Sequence, residues 1–285
     1  MKMYYFHFAD KNDLNYVFCV QINGSNIMYK TFERSKLFKT FKKCFGFLLA
    51  KKPKIVFRGS QEEISEPVIF LGNHGLNGSV GLYANEIYFP FKFTPVGRFE
   101  VFQGFRKRWS YLYTFNHRLR RGLGKFKAFC CATFDAVFSK AFYRYCRAIP
   151  SYQDNRLVLT YKQVFRCLNE GISVMIYPEL LDMGYNNTFL TYLSGFVSIA
   201  KTYNKKEGKE VKICATYYSE STRQIIIDEP ISIIDMLNDS KTKEEIATYF
   251  SDRTNNLYKD YVLPIHQEAE KKYKRKYHTE DFINK

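Results

Sequence analysis

Three short stretches put reactive side chains directly after apolar runs. In "PVIFLGNHGLNGSVG", residues 67 to 81, four apolar residues run into Asn73-His74 and a glycine-bearing loop. In "RAIPSYQD" the group Arg147-Ala-Ile149-Pro150 follows a long apolar segment, and in "ISVMIYPEL" an apolar run ends in Tyr177-Pro178-Glu179. An imidazole changes protonation near neutral pH, which suits it to proton transfer once a second group holds its other ring nitrogen. His74 is therefore the candidate catalyst, and it needs such a partner.

The elements that must position these residues follow from the pattern around them. From residue 67 onward, helical patterns alternate with short β-rich runs, which predicts an α/β core with a mixed, largely parallel sheet flanked by helices. Ligands bind outside the carboxyl ends of the strands in such sheets, where "VIFL" and "VMI" would deliver His74 and Glu179. "VKICATYYS" and "RQIIIDEPISI" read as further strands, and "NEIYFPFKFTPVG" as a short element and another strand. Residues 126 to 147 read as a long helix, apolar nearly all round and therefore buried. "RLVLTYKQVFRCLNEG" reads as a helix stopped by Gly171, "FLTYLSGFVSIAKTYN" as another, and "SKTKEEIATYF" opens a last helix with Thr242 and Glu245 as a capping box.

Ahead of this core, the first 35 residues read as a β-meander with an Asn-Gly turn. Residues 36 to 52 then place Leu37, Phe38, Phe41, Cys44, Phe45, Leu48 and Leu49 at helical spacing beside a lysine-rich face. Such a helix either lies in a lipid interface or packs on the core with its lysines solvated. The expected organisation is residues 1–55 as meander plus amphipathic helix, 56–240 as the α/β core, and 241–285 as a C-terminal helix with a basic tail.

Composition sets the class of partner. A hydrophobic content of 46% supports a substantial core, while a net charge of +16 with 18% aromatic residues points to something anionic. Residues 98 to 127 carry nine Lys or Arg against the single acid Glu100, with eight aromatics interleaved. No helix-turn-helix, zinc-finger, RNP or KH signature accompanies them, so an anionic membrane surface is expected rather than nucleic acid. Seven cysteines without a C-x-x-C predict a reduced, cytoplasmic protein with neither a disulfide framework nor a metal site. The N-terminus lacks a signal-peptide pattern and no apolar stretch is long enough to span a bilayer, which leaves peripheral association with the inner face of the membrane.

In their order, the three reactive stretches resemble the blocks of the PlsC-like glycerolipid acyltransferase superfamily. "FLGNHGLNGS" is similar to its Asn-His-x4-Asp block, "RAIPSYQD" to its Ile-Pro block and "MIYPEL" to its Phe-Pro-Glu-Gly block, and the resemblance extends to about residue 235. It implies that His74 acts as general base on an acceptor hydroxyl, which attacks the thioester of acyl-CoA or acyl carrier protein, with no tightly bound cofactor. Asn73, Arg98, Arg147, Ile149, Pro150, Tyr177, Pro178 and Glu179 would then bind substrate, the acceptor being a lysophospholipid or related lipid.

Ser79 stands where the family has its aspartate. Either Ser79 or a backbone carbonyl orients His74, or another carboxylate such as Glu86 or Asp182 serves, or the chain binds lipid or acyl thioester without turnover. After Glu179 the family's Gly and Arg are also missing, which shifts expected phosphate recognition to Arg98 or to the basic cluster at 106 to 121.

Overall fold

Short runs rich in Ile, Val, Phe and Tyr build a seven-stranded sheet in the order β1-β7-β6-β2-β5-β3-β4. The computed structural model describes residues 50–265 except 62, 63, 65, 66, 77, 78 and 181–183, together with Phe32, Lys39, Thr40, 42–44 and Gly46, and for Ser79 the backbone alone. The expected β-meander and the apolar positions of the helix at 36 to 52 lie outside the described residues, apart from Phe32 and Cys44.

In chain order the elements are β1 (Lys54–Phe57), β2 (Ile69–Leu71), α1 (Ser79–Tyr88), β3 (Phe93–Arg98), α2 (Phe105–Tyr111), α3 (Lys125–Tyr145), β4 (Ile149–Ser151) and α4 (Leu157–Asn169). They continue with β5 (Ser173–Ile176), α5 (Gly195–Glu207), β6 (Ile213–Ser219), β7 (Gln224–Ile231), α6 (Ile234–Asn238) and α7 (Lys243–Leu257). A π-helical segment, Leu112–Arg120, continues α2 toward α3. Among the described strands of the sheet only β6 and β7 pair antiparallel; β2 lies parallel to both β5 and β6, and β3 parallel to both β5 and β4. The α/β fold with a mixed, mostly parallel sheet is thus the one that the alternating pattern predicts.

The central strands are covered on both faces, which explains why they read as continuous apolar runs. Ile69, Leu71, Val174, Ile213, Ala215 and Ile226 face α4, α5 and α7, where Val164, Phe196 and Phe250 close the larger core. The intervening Phe70, Met175, Cys214, Ile225 and Ile227 face the other way, toward Ala84 of α1 and Phe89. Burial pushes the Cys167 thiol, on the α4 side, up to about 12, so it stays protonated.

Two local signals form as expected. Thr242 and Glu245 make a reciprocal capping box at the start of α7, and Gly171 adopts φ +73° just past α4. β1, which spans residue 55, pairs with β7, and α7 packs in the same core as the central strands. One expectation is corrected. The helix expected to be buried exposes most of its large apolar residues. Among the described residues no helix is long and apolar enough to cross a membrane.

One buried ion pair joins α7 to the sheet. Asp228 of β7 accepts from Arg253 Nε at 2.7 Å and Nη2 at 2.9 Å, and Asp228 is 1% exposed. Removing one member of a buried pair strands the other charge. Asp228→Ala is expected to lower unfolding free energy by about 3 kcal/mol, measured by urea denaturation.

Candidate active site

The parallel pairing of β2 with β5 sets Leu71 opposite Ile176, so the residues that follow on both strands leave the sheet side by side. The Gly72 N–H extends the pairing by donating to the Ile176 carbonyl at 2.9 Å. His74 and Glu179 therefore meet although 105 residues separate them. His74 Nδ1 lies 3.2 Å from Glu179 Oε1, and the His74 backbone N–H donates to the same oxygen. The carboxyl is buried, while 18% of the imidazole side chain is exposed. With Nδ1–H donating to Glu179, the neutral ring presents its lone pair at Nε2, the arrangement a general base requires.

Backbone constraints hold both partners. Glu179 pairs with Tyr192 in an isolated antiparallel bridge, and the Leu193 N–H donates to the Pro178 carbonyl at 2.8 Å. On the histidine side, the Gly81 N–H donates to the His74 carbonyl at 2.9 Å. A Cβ at Gly81 would stand 2.6 Å from the carbonyl oxygens of Asn73 and His74, so only glycine lets the first turn of α1 sit against this loop. Gly75 adopts φ +73°, a left-handed turn that carries the chain away from the imidazole.

Two tyrosines wall the imidazole. The Tyr177 ring centroid is 4.7 Å from that of His74 and the Tyr185 centroid 5.9 Å. Burial, followed by the nearby Glu86 carboxylate, holds the Tyr177 phenol well above its ordinary value. Burial also pushes Tyr185 up. Both are therefore neutral hydroxyls, and neither competes with His74 as a base. Tyr185 donates to Asn116 Oδ1 at 2.6 Å, which ties the site to the π-helical segment. Next to Glu179 a small pocket is lined by Leu180, Asn186, Thr188, Phe189, Leu190 and Thr191, with Leu180 and Leu190 exposed.

The structure brings together His74, Tyr177, Pro178 and Glu179 of the residues expected from sequence, and it gives others contacts within the fold. Asn73 is 1% exposed, donates from Nδ2 to the Tyr218 carbonyl at 3.0 Å and accepts from the Tyr218 N–H at 2.6 Å. Both ends of its amide are spent fastening the loop to β6. Ile149 is fully buried in the larger core, and the Pro150 carbonyl accepts from Thr160 Oγ1 at 2.8 Å, so these two hold β4 in place. Arg98 reaches Glu100 at 3.0 Å and lies over the Tyr111 ring, while Arg147 closes α3 with φ +61°.

The carboxylate at His74 is Glu179, which the sequence analysis put in the substrate pocket. Ser79 opens α1, Glu86 is buried on α1 beside Tyr177, and Asp182 lies outside the described residues. Tyr185, Asn116 and Gly81 were not singled out from sequence. For Gly81 the signal was present: a glycine one turn into a helix that follows a reactive loop marks a close backbone approach. Among the described residues no group of three or more His, Cys, Asp or Glu could hold a metal ion. No protein-family model matches the chain, and no curated protein matches it.

Gly81→Ala is expected to cost about 1–3 kcal/mol, because the methyl meets backbone atoms that cannot rotate away. Gly195→Ala, where a methyl meets open space in α5, serves as the control and is expected to be neutral or mildly stabilising. Urea denaturation of both variants measures the contrast.

Proposed function

We propose that the chain transfers an acyl group from a thioester to a hydroxyl, with His74 as general base and Glu179 as the carboxylate that orients it. The observation that carries this reading is the imidazole–carboxylate pair at the carboxyl edge of the sheet. The acceptor hydroxyl would donate to His74 Nε2 and lose its proton there as its oxygen attacks the thioester carbonyl. Glu179 would stabilise the imidazolium that forms, as a buried aspartate does in serine proteases. Collapse of the tetrahedral adduct breaks the carbon–sulfur bond, and the departing thiolate takes the proton back from Nε2. One ester forms, one thioester is consumed and a free thiol leaves.

The donor class, acyl-CoA or acyl carrier protein, comes from the resemblance of the three blocks to PlsC-like acyltransferases. The reading departs from that family at one point. Its carboxylate follows the histidine within the first block, whereas here the third block would supply it. That relocation supports turnover over binding alone, since the imidazolium keeps a charged partner in place of a neutral serine. The acceptor class, a lysophospholipid or related lipid, comes from the same resemblance.

The test is thiol release from long-chain acyl-CoA, and separately from acyl carrier protein, against a panel of lysophospholipid, glycerol-phosphate and sugar-lipid acceptors. Acceptor-dependent release should vanish in His74→Ala and fall by roughly two to four orders of magnitude in Glu179→Gln, the range expected when the charge behind a catalytic histidine is removed. Circular dichroism should show both variants folded. Wild-type turnover that survives Glu179→Gln would sink the assigned pair. Absence of release with acyl-CoA still bound would leave a binding module without chemistry.

A further inference from the structure

Helix α3 is built inside out. It turns Ala128, Ala132, Ala136 and Ser139 inward, all buried, and turns Phe126, Phe134, Val137 and Phe138 outward, each more than half exposed. At about 100° per residue these two sets occupy opposite halves of the helix, while Phe129 sits on the flank with its ring edge-on to Trp109, centroids 5.6 Å apart. The small inward residues let α2 and the π-helical segment approach closely. There Arg108 Nε donates to the Ala136 carbonyl at 2.8 Å, and Trp109 Nε1 donates to Thr133 Oγ1 at 3.0 Å. At the base of the hairpin Phe142 packs edge-on against Tyr83 of α1, with ring centroids 5.0 Å apart. The hairpin is thus held by these polar ties, by Leu112 and Trp109 packed on the alanines, and by Phe142, while four large apolar side chains of α3 face outward.

The charge on the same face identifies the occupant. Lys127, Lys140 and Arg144 of α3 are exposed beside these phenylalanines. The one acid of α3, Asp135, is withdrawn: it pairs at 3.0 Å with His117 Nε2, and that histidine is fully buried. A contiguous apolar patch of this kind marks an interaction site, and cations interleaved with exposed aromatic side chains complement a layer that is anionic at its surface and apolar just beneath. A second copy of the chain would set these cations against their own kind. Nor do the chain's own ends supply the missing acid: residues 1–49 carry eight Lys or Arg against three acids, and residues 266–285 six against four.

We infer that the outer face of α3 docks on an anionic phospholipid bilayer, with Phe126, Phe134, Val137 and Phe138 entering the interface and the adjacent basic side chains meeting headgroup phosphates. This places lipid contact on the inserted hairpin, whereas the sequence pattern had drawn attention to residues 36 to 52. The surface is argued without the acyl-transfer reading and is tested without turnover. Its position is nonetheless relevant to that reading, because Tyr185 lies against His74 and donates to Asn116 of the same hairpin.

The experiment is co-sedimentation of the full chain with vesicles of phosphatidylcholine alone or mixed with phosphatidylglycerol, at low and high salt. Wild type should pellet with the mixed vesicles, less so as salt rises, and much less with the neutral ones. Phe126→Ser/Phe134→Ser/Phe138→Ser should weaken the partition by roughly tenfold or more, since each ring removes apolar area from the interface. Lys127→Gln/Lys140→Gln/Arg144→Gln should abolish the preference for anionic vesicles. All six positions are exposed, so unchanged circular dichroism and thermal melting are expected of both variants. Failure of wild type to pellet, equal binding to neutral vesicles, or full binding by the phenylalanine variant would overturn the inference. A lipid-free dimer that the phenylalanine variant dissolves would overturn it as well, assigning the face to a second copy.

Discussion

The site depends on one buried carboxylate oxygen. Glu179 Oε1 accepts from the His74 backbone and faces the His74 ring, so one oxygen fixes both the loop and the imidazole. A carboxylate that is largely withdrawn from water is costly unless hydrogen bonds satisfy it, and here the residue it positions supplies them. The parallel register of β2 and β5 makes that meeting possible, because strands running in the same direction release their following residues at the same edge. Asn73 and Gly81 complete the arrangement from the other side, one tying the loop to β6 and the other letting α1 close against it.

This dependence gives a physical account of how a histidine keeps an acidic partner when the position five residues onward is Ser79. In the block that this loop resembles, the acid and the histidine lie five residues apart. In this chain the acid arrives after a neighbouring strand, and its geometry is set by sheet pairing. Either arrangement sets a carboxylate beside an imidazole. The two differ in what spaces the groups: five residues of chain in the first case and the pairing of the central sheet in the second.

The inserted hairpin follows a separate logic. Between the first and second reactive stretches the chain places α2, the π-helical segment and α3, and these meet through alanines, Leu112, Trp109, Arg108 and the His117–Asp135 pair. Withdrawal of Asp135 into that contact leaves the outer face of α3 without an acid. The basic and aromatic composition evident in the sequence thus becomes a surface with a direction, flanking the site through Tyr185 and Asn116.

Much of this was legible in the sequence. Alternating helical and β-rich runs determined the α/β class, apolar strands implied a sheet covered on both faces, and Thr242 and Gly171 marked helix ends, because each of these signals is local and period-dependent. His74 and Glu179 stood out at strand ends for the same reason. Their partnership did not, since it arises from a register between strands 105 residues apart. The same limit hid that the Asn73 amide serves β6 and that Ile149 lies in the core. It also misled the reading of α3: residues apolar on nearly every side satisfy a buried helix and an inside-out one equally. Only the tertiary neighbours, which close over Ala128, Ala132 and Ala136, decide which side faces in.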